Sequence, residues 1–135
     1  MVRPHLEDET SRLSSLSSTL NSQLKIMAWL YLILGGLFEV AFTTSLGKAK
    51  ESTGSEFWLW ILSFLVSVSI SMYLLFLASK TLPMGTSYAV WAGIGAVGSV
   101  IAGIVLFKEP TDFWRMFFLF LLISSIIGLK LSSKH

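Results

Sequence analysis

Charge is the property that most limits what this chain can become. Four stretches of its 135 residues are nearly free of it: 27–46, 57–79, 84–107 and 113–129. In the first, Glu39 is the only charged residue. The second and third have none, and the fourth has only Arg115, near its start. A helix needs about 20 predominantly apolar residues to cross a hydrocarbon core about 30 Å thick, and each stretch is close to that length. A bilayer offers no water to unpaired backbone groups, so the spanning form is helical. The fold class that follows is an all-α membrane protein with four transmembrane helices.

Composition agrees. Charged residues make up 13% of the chain, about half the share in an ordinary soluble domain. Mean hydropathy is +0.72. Pro83 and Pro110 stand where the third and fourth spans begin, positions at which a missing N–H costs little. Trp29, Trp58, Trp60 and Trp114 fall near span ends, as side chains of an interfacial belt do. Trp91 lies well inside the third span. The connecting loops, roughly 47–56, 80–83 and 108–112, are too short to hold a soluble domain, so the function is expected within the membrane domain, residues 27–135.

Residues 1–26 read differently. The segment SRLSSLSSTLNSQL is rich in serine and contains no span. It lacks the apolar core of a secretory signal. Leu13, Leu16, Leu20 and Leu24 recur at helical spacing, which suits a weak amphipathic helix on the membrane surface. A mobile polar tail, or translation starting at Met27, is the plainer expectation.

Four spans put both termini on one side. Arg3, Arg12, Lys25, Lys80, Lys130 and Lys134 fall there, against Lys48, Lys50, Lys108 and Arg115 on the other. Without the segment before Met27 the balance is three to four. The Lys/Arg bias that normally sets orientation then nearly vanishes, so two copies could insert in opposite senses and pair. An orientation fixed by the tail is the alternative.

Glu39 lies twelve residues past Met27, about 18 Å along a helix at 1.5 Å per residue. A charge at that depth is expensive, and such residues usually face a bundle interior or an ion path. Its helical neighbours Gly35, Gly36 and Thr43 make a small, partly polar face, suited to close helix approach. If two subunits bring both Glu39 side chains into one cavity, the pair can hold protons or release them to hold a cation, but not readily both. That exclusivity is enough for an exchanger. A simple interhelical hydrogen bond is the structural alternative.

The third span offers a partner face. Tyr88 and Trp91 are three residues apart, and Trp91, Gly95, Ser99 and Gly103 repeat at four. Aromatic rings suit a cation, and the small residues suit close packing. In the second span Ser71 falls at a depth similar to Trp91, so Ser71, Trp91 and Glu39 are expected to approach one another near the midplane. The run GIGAVG places Gly93, Gly95 and Gly98 together, a hinge or a packing surface. Ser124 and Gly128 in the fourth span form a small-xxx-small pair, a weak signal for a dimer seam.

The segments MAWLYLILGGLFEV (27–40), KTLPMGTSYAVWAGIGAVG (80–98) and FKEP (107–110) closely resemble the small multidrug resistance family of proton-coupled cation exporters. The resemblance runs from residue 27 to about 131. It implies an antiparallel, dual-topology homodimer or a paired heterodimer in the inner (plasma) membrane, whose two membrane glutamates alternate between protons and an organic cation. By the same resemblance Glu39 is the shared site, Tyr88 and Trp91 line it, and Ser71 is a polar neighbour. The KTLP and KEP segments are similar to the guanidinium-exporting branch. That branch usually carries a tryptophan three residues after the glutamate, where this chain has Phe42. Thr43 and Thr44 follow, which resembles the polyspecific branch that exports quaternary ammonium compounds.

Other classes are disfavoured. Cysteine is absent and the two histidines, His5 and His135, are terminal, so neither a metal centre nor a histidine-based catalytic site is expected. No nucleophile–base pair accompanies Glu39, no cofactor is implied, and a net charge of +2 spread over loops and ends leaves no nucleic-acid footprint. A proton/cation antiporter is the expectation. A non-transporting membrane subunit of a paired assembly is its rival.

Overall fold

The structure is a computed structural model that describes residues 4–132. Arg3, Lys134 and His135, which entered the charge and histidine arguments, lie outside the described residues. Four helices follow one another: α1 (Pro4–Glu51), α2 (Ser55–Ser79), α3 (Met84–Phe107) and α4 (Phe113–Ser132). All four contain a window apolar enough to cross a membrane, with mean hydropathy between 1.8 and 2.3. The four expected spans are thus present, with ends shifted by a few residues at most, except at the start of α1.

There one continuous helix of 48 residues carries the segment before Met27 as well as the expected span. The local chemistry accounts for it. Proline is tolerated in a first turn, and between Pro4 and Gly35 the chain contains neither glycine nor proline. The hydroxyls of Thr10 and Thr19 bond back to the carbonyls of Leu6 and Ser15, so these side chains need no partner outside the helix. The segment reaches about 35 Å beyond Met27 at 1.5 Å per residue. The four leucines that suggested an amphipathic face are 49–66% exposed.

The turns use few special conformations. Gly54, between α1 and α2, has φ 67°, a left-handed conformation that glycine adopts without strain. Lys108 closes α3 with φ 53°, and the Glu109 N–H donates to the carbonyl of Gly103 at 3.2 Å. Arg115 ties the same loop to α4 by donating to the Glu109 carboxylate and to the Pro110 carbonyl.

Helix α1 packs against both α2 and α3, whereas α4 lies against α3. The core joins Ala28 and Leu32 of α1, Leu75 and Ala78 of α2, Leu82, and Val90 and Trp91 of α3. It is small for a chain so rich in apolar residues. Leu59, Val105 and Phe120 are 66–69% exposed. In water such surfaces would aggregate; in a bilayer they meet lipid chains as apolar as themselves. The chain is a multi-pass membrane protein.

Candidate functional site

The site lies where α1 meets α3, and the approach is set by glycine. A Cβ added at Gly35 would press on the Trp91 indole at 2.9 Å, and one at Gly36 would meet Ile94 at 2.5 Å. A Cβ at Gly95 would overlap the Glu39 carboxyl, and one at Gly98 would overlap Val40. Each glycine therefore accepts a side chain of the other helix. This is the close packing that small residues allow when lipid supplies no driving force between helices. Helix α3 runs unbroken through Gly93, Gly95 and Gly98, and a Cβ at each would press on a side chain of a neighbouring helix.

Along this seam three polar layers are stacked. In the first, the Trp91 indole N–H donates to Ser71 Oγ at 2.9 Å, and the Ser71 hydroxyl donates to the Gly35 carbonyl at 2.7 Å. Ser71 is fully buried and Trp91 nearly so. The chain of donors joins α3 to α2 to α1, and each bond polarises the next. In the second layer, one turn further along both helices, Glu39 sits over Gly95. Its Oε2 is buried and has no hydrogen-bond partner. In the third layer Thr43 Oγ1 and Ser99 Oγ are 2.8 Å apart.

The expected residues fall in the structure as follows. Ser71 and Trp91 touch directly, and Glu39 occupies the adjacent layer. Tyr88 stays about half exposed, its ring 5.5 Å from that of Trp91 and tilted by 46°, at the open side of the layer. Phe42 turns its ring edge-on to Phe64, with centroids 5.8 Å apart. It has no donor to offer Glu39. Thr43 lies in the third layer. Ser124 and Gly128 are exposed on α4, and nothing approaches within 4 Å of where a Gly128 Cβ would stand.

Sequence reasoning passed over the Gly35 carbonyl, which no side-chain pattern can signal. It also passed over the hydroxyl pair of Ser45 and Ser63, 2.8 Å apart between α1 and α2. A signal for the latter existed, since Ser63, Ser67 and Ser71 recur at four along α2 and so share one face.

A buried carboxyl oxygen without a partner is costly, and among the described span residues Glu39 is the acid that carries one. A second glutamate of the spans is not available to it within one chain. Among the described residues no group of three or more His, Cys, Asp or Glu comes together to hold a metal ion.

Comparison with known proteins agrees with this architecture. Residues 27–122 match the family model described as Small Multidrug Resistance protein. A guanidinium exporter of Yersinia pseudotuberculosis serotype I is 46% identical over 107 residues, 79% of this chain and 100% of that protein. The guanidinium exporter of Escherichia coli K12 is 43% identical over 107 residues, 79% of this chain and 99% of that protein. A Bacillus licheniformis protein named as a probable guanidinium efflux system subunit, GdnD, is 41% identical over 107 residues, 79% of this chain and 100% of its own length.

Proposed function

The chain belongs to the small multidrug resistance family, and from that premise we propose that it exports guanidinium-type cations in exchange for protons. The observation that carries the reading is the Glu39 layer. A carboxyl whose Oε2 is buried and unpartnered lies one turn from a tryptophan held rigidly by Ser71. Guanidinium is planar and rich in N–H donors. It is best held by carboxylates and ordered acceptors, and an aromatic face adds to the attraction. Relatives at 43–46% identity carry the name guanidinium exporter, which supports the same substrate class here.

One Glu39 can hold a proton or a cation. Two, one from each protomer of an antiparallel homodimer, make the exchange obligatory: cation binding displaces protons and protons displace the cation. The near balance of Lys and Arg between the two faces of the membrane domain suits a chain that inserts both ways. In this scheme Tyr88 and Trp91 line the cavity, Thr43 and Phe42 border it, and Ser124 and Gly128 of α4 form the seam between protomers. Small quaternary ammonium ions are secondary substrates, because Phe42 leaves Glu39 unbraced. A second reading, one half of an obligate heterodimer, is favoured by the word subunit in the name of the Bacillus licheniformis relative.

Proteoliposomes made from this chain alone test both. With a proton gradient imposed, guanidinium should be driven across the membrane, and Glu39→Gln should abolish the coupled flux while the protein still inserts. Coupled flux in the glutamine variant sinks the proposed mechanism. An inactive wild type that recovers on addition of a family partner replaces the homodimer by the pair.

A further inference from the structure

Between α1 and α3, at the end where Glu51 and Lys108 close the two helices, a cleft of about 340 Å³ opens. Thr43 and Ser99 line it, together with Thr44, Gly103, Lys50 and Glu109 among others. Thr43 is four residues from Glu39 and Ser99 four from Gly95, so the hydroxyl pair lies one turn from the Glu39 layer. At the rim Glu109 is engaged by Arg115, while Lys50 and Glu51 also border the cleft. The hydroxyls lie deeper, toward Glu39.

Proton counting defines what they offer. A hydroxyl has one donor and two acceptor lone pairs. Thr43 Oγ1 lies 3.0 Å from the Val40 carbonyl and donates to it. The 2.8 Å contact between the two hydroxyls is then filled by the Ser99 proton donating to Thr43 Oγ1. This is the arrangement in which both protons have an acceptor. It leaves two free lone pairs on Ser99, one on Thr43, and no free donor. The half-buried pair thus presents acceptors and nothing else to whatever occupies the cleft.

We propose that the Thr43–Ser99 hydroxyl pair sets cation specificity, as an acceptor station that favours cations bearing N–H bonds on their way to Glu39. The inference rests on the function proposed above and names the residues that select within it. A guanidinium ion stripped of water needs acceptors for its N–H groups, and the pair supplies them where the carboxylate is still a turn away. A tetra-alkylammonium ion has no N–H and gains nothing there. Selection of this kind is effective because a buried group left without its partner costs more than a lost apolar contact.

The test uses the full chain in proteoliposomes and compares guanidinium with tetramethylammonium. The second ion is read by its flux, or by its inhibition constant against guanidinium if it binds without moving. Thr43→Val keeps the shape and removes the hydroxyl; Ser99→Ala removes the other. Each should lower the guanidinium-to-tetramethylammonium preference about threefold or more, the scale of one hydrogen bond in a membrane interior. Thr43→Ser, which keeps the hydroxyl, should hold the wild-type preference within about twofold. A preference unchanged in both hydroxyl-less variants overturns the proposal, as does an equal loss for both ions, which would make the pair a clip between helices. If Thr43→Val does not fold, Ser99→Ala, a change of one oxygen, decides alone. A wild type that moves no guanidinium defeats the function proposed above. A wild type that does, with variants of unaltered preference, defeats this inference only.

Discussion

Helices α3 and α4 are both apolar enough to span a membrane, with mean hydropathy of 2.1 and 1.8, yet they meet opposite fates. Helix α3 buries Ser87, Val90, Trp91, Gly93, Gly95 and Gly103, whereas α4 buries no residue at all. Hydropathy therefore says that a segment enters the membrane and is silent on which segment lies inside the protein. Composition separates them. The α3 sequence carries Gly85, Gly93, Gly95, Gly98 and Gly103, while α4 has Gly128 and a run of large side chains beginning FWRMFFLF. In lipid no hydrophobic gain rewards the burial of a Leu or Phe, so the helix whose backbone can be approached closely takes the interior. The large residues of α4 are left for lipid or for a second copy of the chain.

The sharpest way to break this contrast is at Gly95. A methyl group there overlaps the Glu39 carboxyl, so Gly95→Ala should cut coupled transport by about tenfold to a hundredfold, the equivalent of 1–3 kcal/mol of overpacking. Proteoliposome flux measures it. A flux close to wild type would mean that Glu39 leaves the seam freely, and that α1 and α3 are not held by their small residues.

The second substitution is made on α4. Nothing within the protomer approaches the place of a Gly128 Cβ, so Gly128→Leu should leave the protomer's thermal stability unaltered. If α4 packs on another copy, the dimer dissociation constant should rise by about tenfold, the scale of inserting bulk into a tight helix seam. Detergent or liposome dilution assays read the dissociation constant directly. An unchanged constant removes Ser124 and Gly128 from the seam and leaves α4 facing lipid.

The smallest expected effect lies at the first polar layer. Ser71→Ala takes the acceptor from the Trp91 indole and the donor from the Gly35 carbonyl. Intramembrane hydrogen bonds average about 0.6 kcal/mol in double-mutant cycles. Guanidinium affinity should therefore fall by about threefold to tenfold as the ring loses its fixed orientation, with Trp91 fluorescence shifting in parallel. An unmoved emission band would show that packing against Gly35, rather than the hydroxyl, holds the indole.

Much of the site could be read along the chain because helical periodicity is a local property. Glu39 stood out as the single acid of the spans, and the spacing of Gly35, Gly36 and Thr43 around it defined a face. The repeat at Trp91, Gly95, Ser99 and Gly103 defined another. Helices α2, α3 and α4 followed from charge and proline positions, since a bilayer punishes an unpaired backbone group wherever it occurs. The reach of α1 back to Pro4 did not follow, because a serine-rich segment has only a middling helix propensity. It is helical here as the continuation of a helix already formed, and elongation costs far less than nucleation.

What the linear order could not hold is pairing. Two faces of the right period do not say in which register they meet, and only the assembled bundle sets Gly95 under Glu39, Ile94 against Gly36 and Ser99 beside Thr43. The acceptor for Ser71 is a main-chain carbonyl, a group every residue possesses and no sequence pattern distinguishes. The amino-acid sequence by itself determined that the chain spans the membrane four times and carries one acid within those spans. The register of α1 on α3, and with it what each polar group touches, was decided by tertiary packing, because in lipid the contact chosen is the one in which backbones approach most closely.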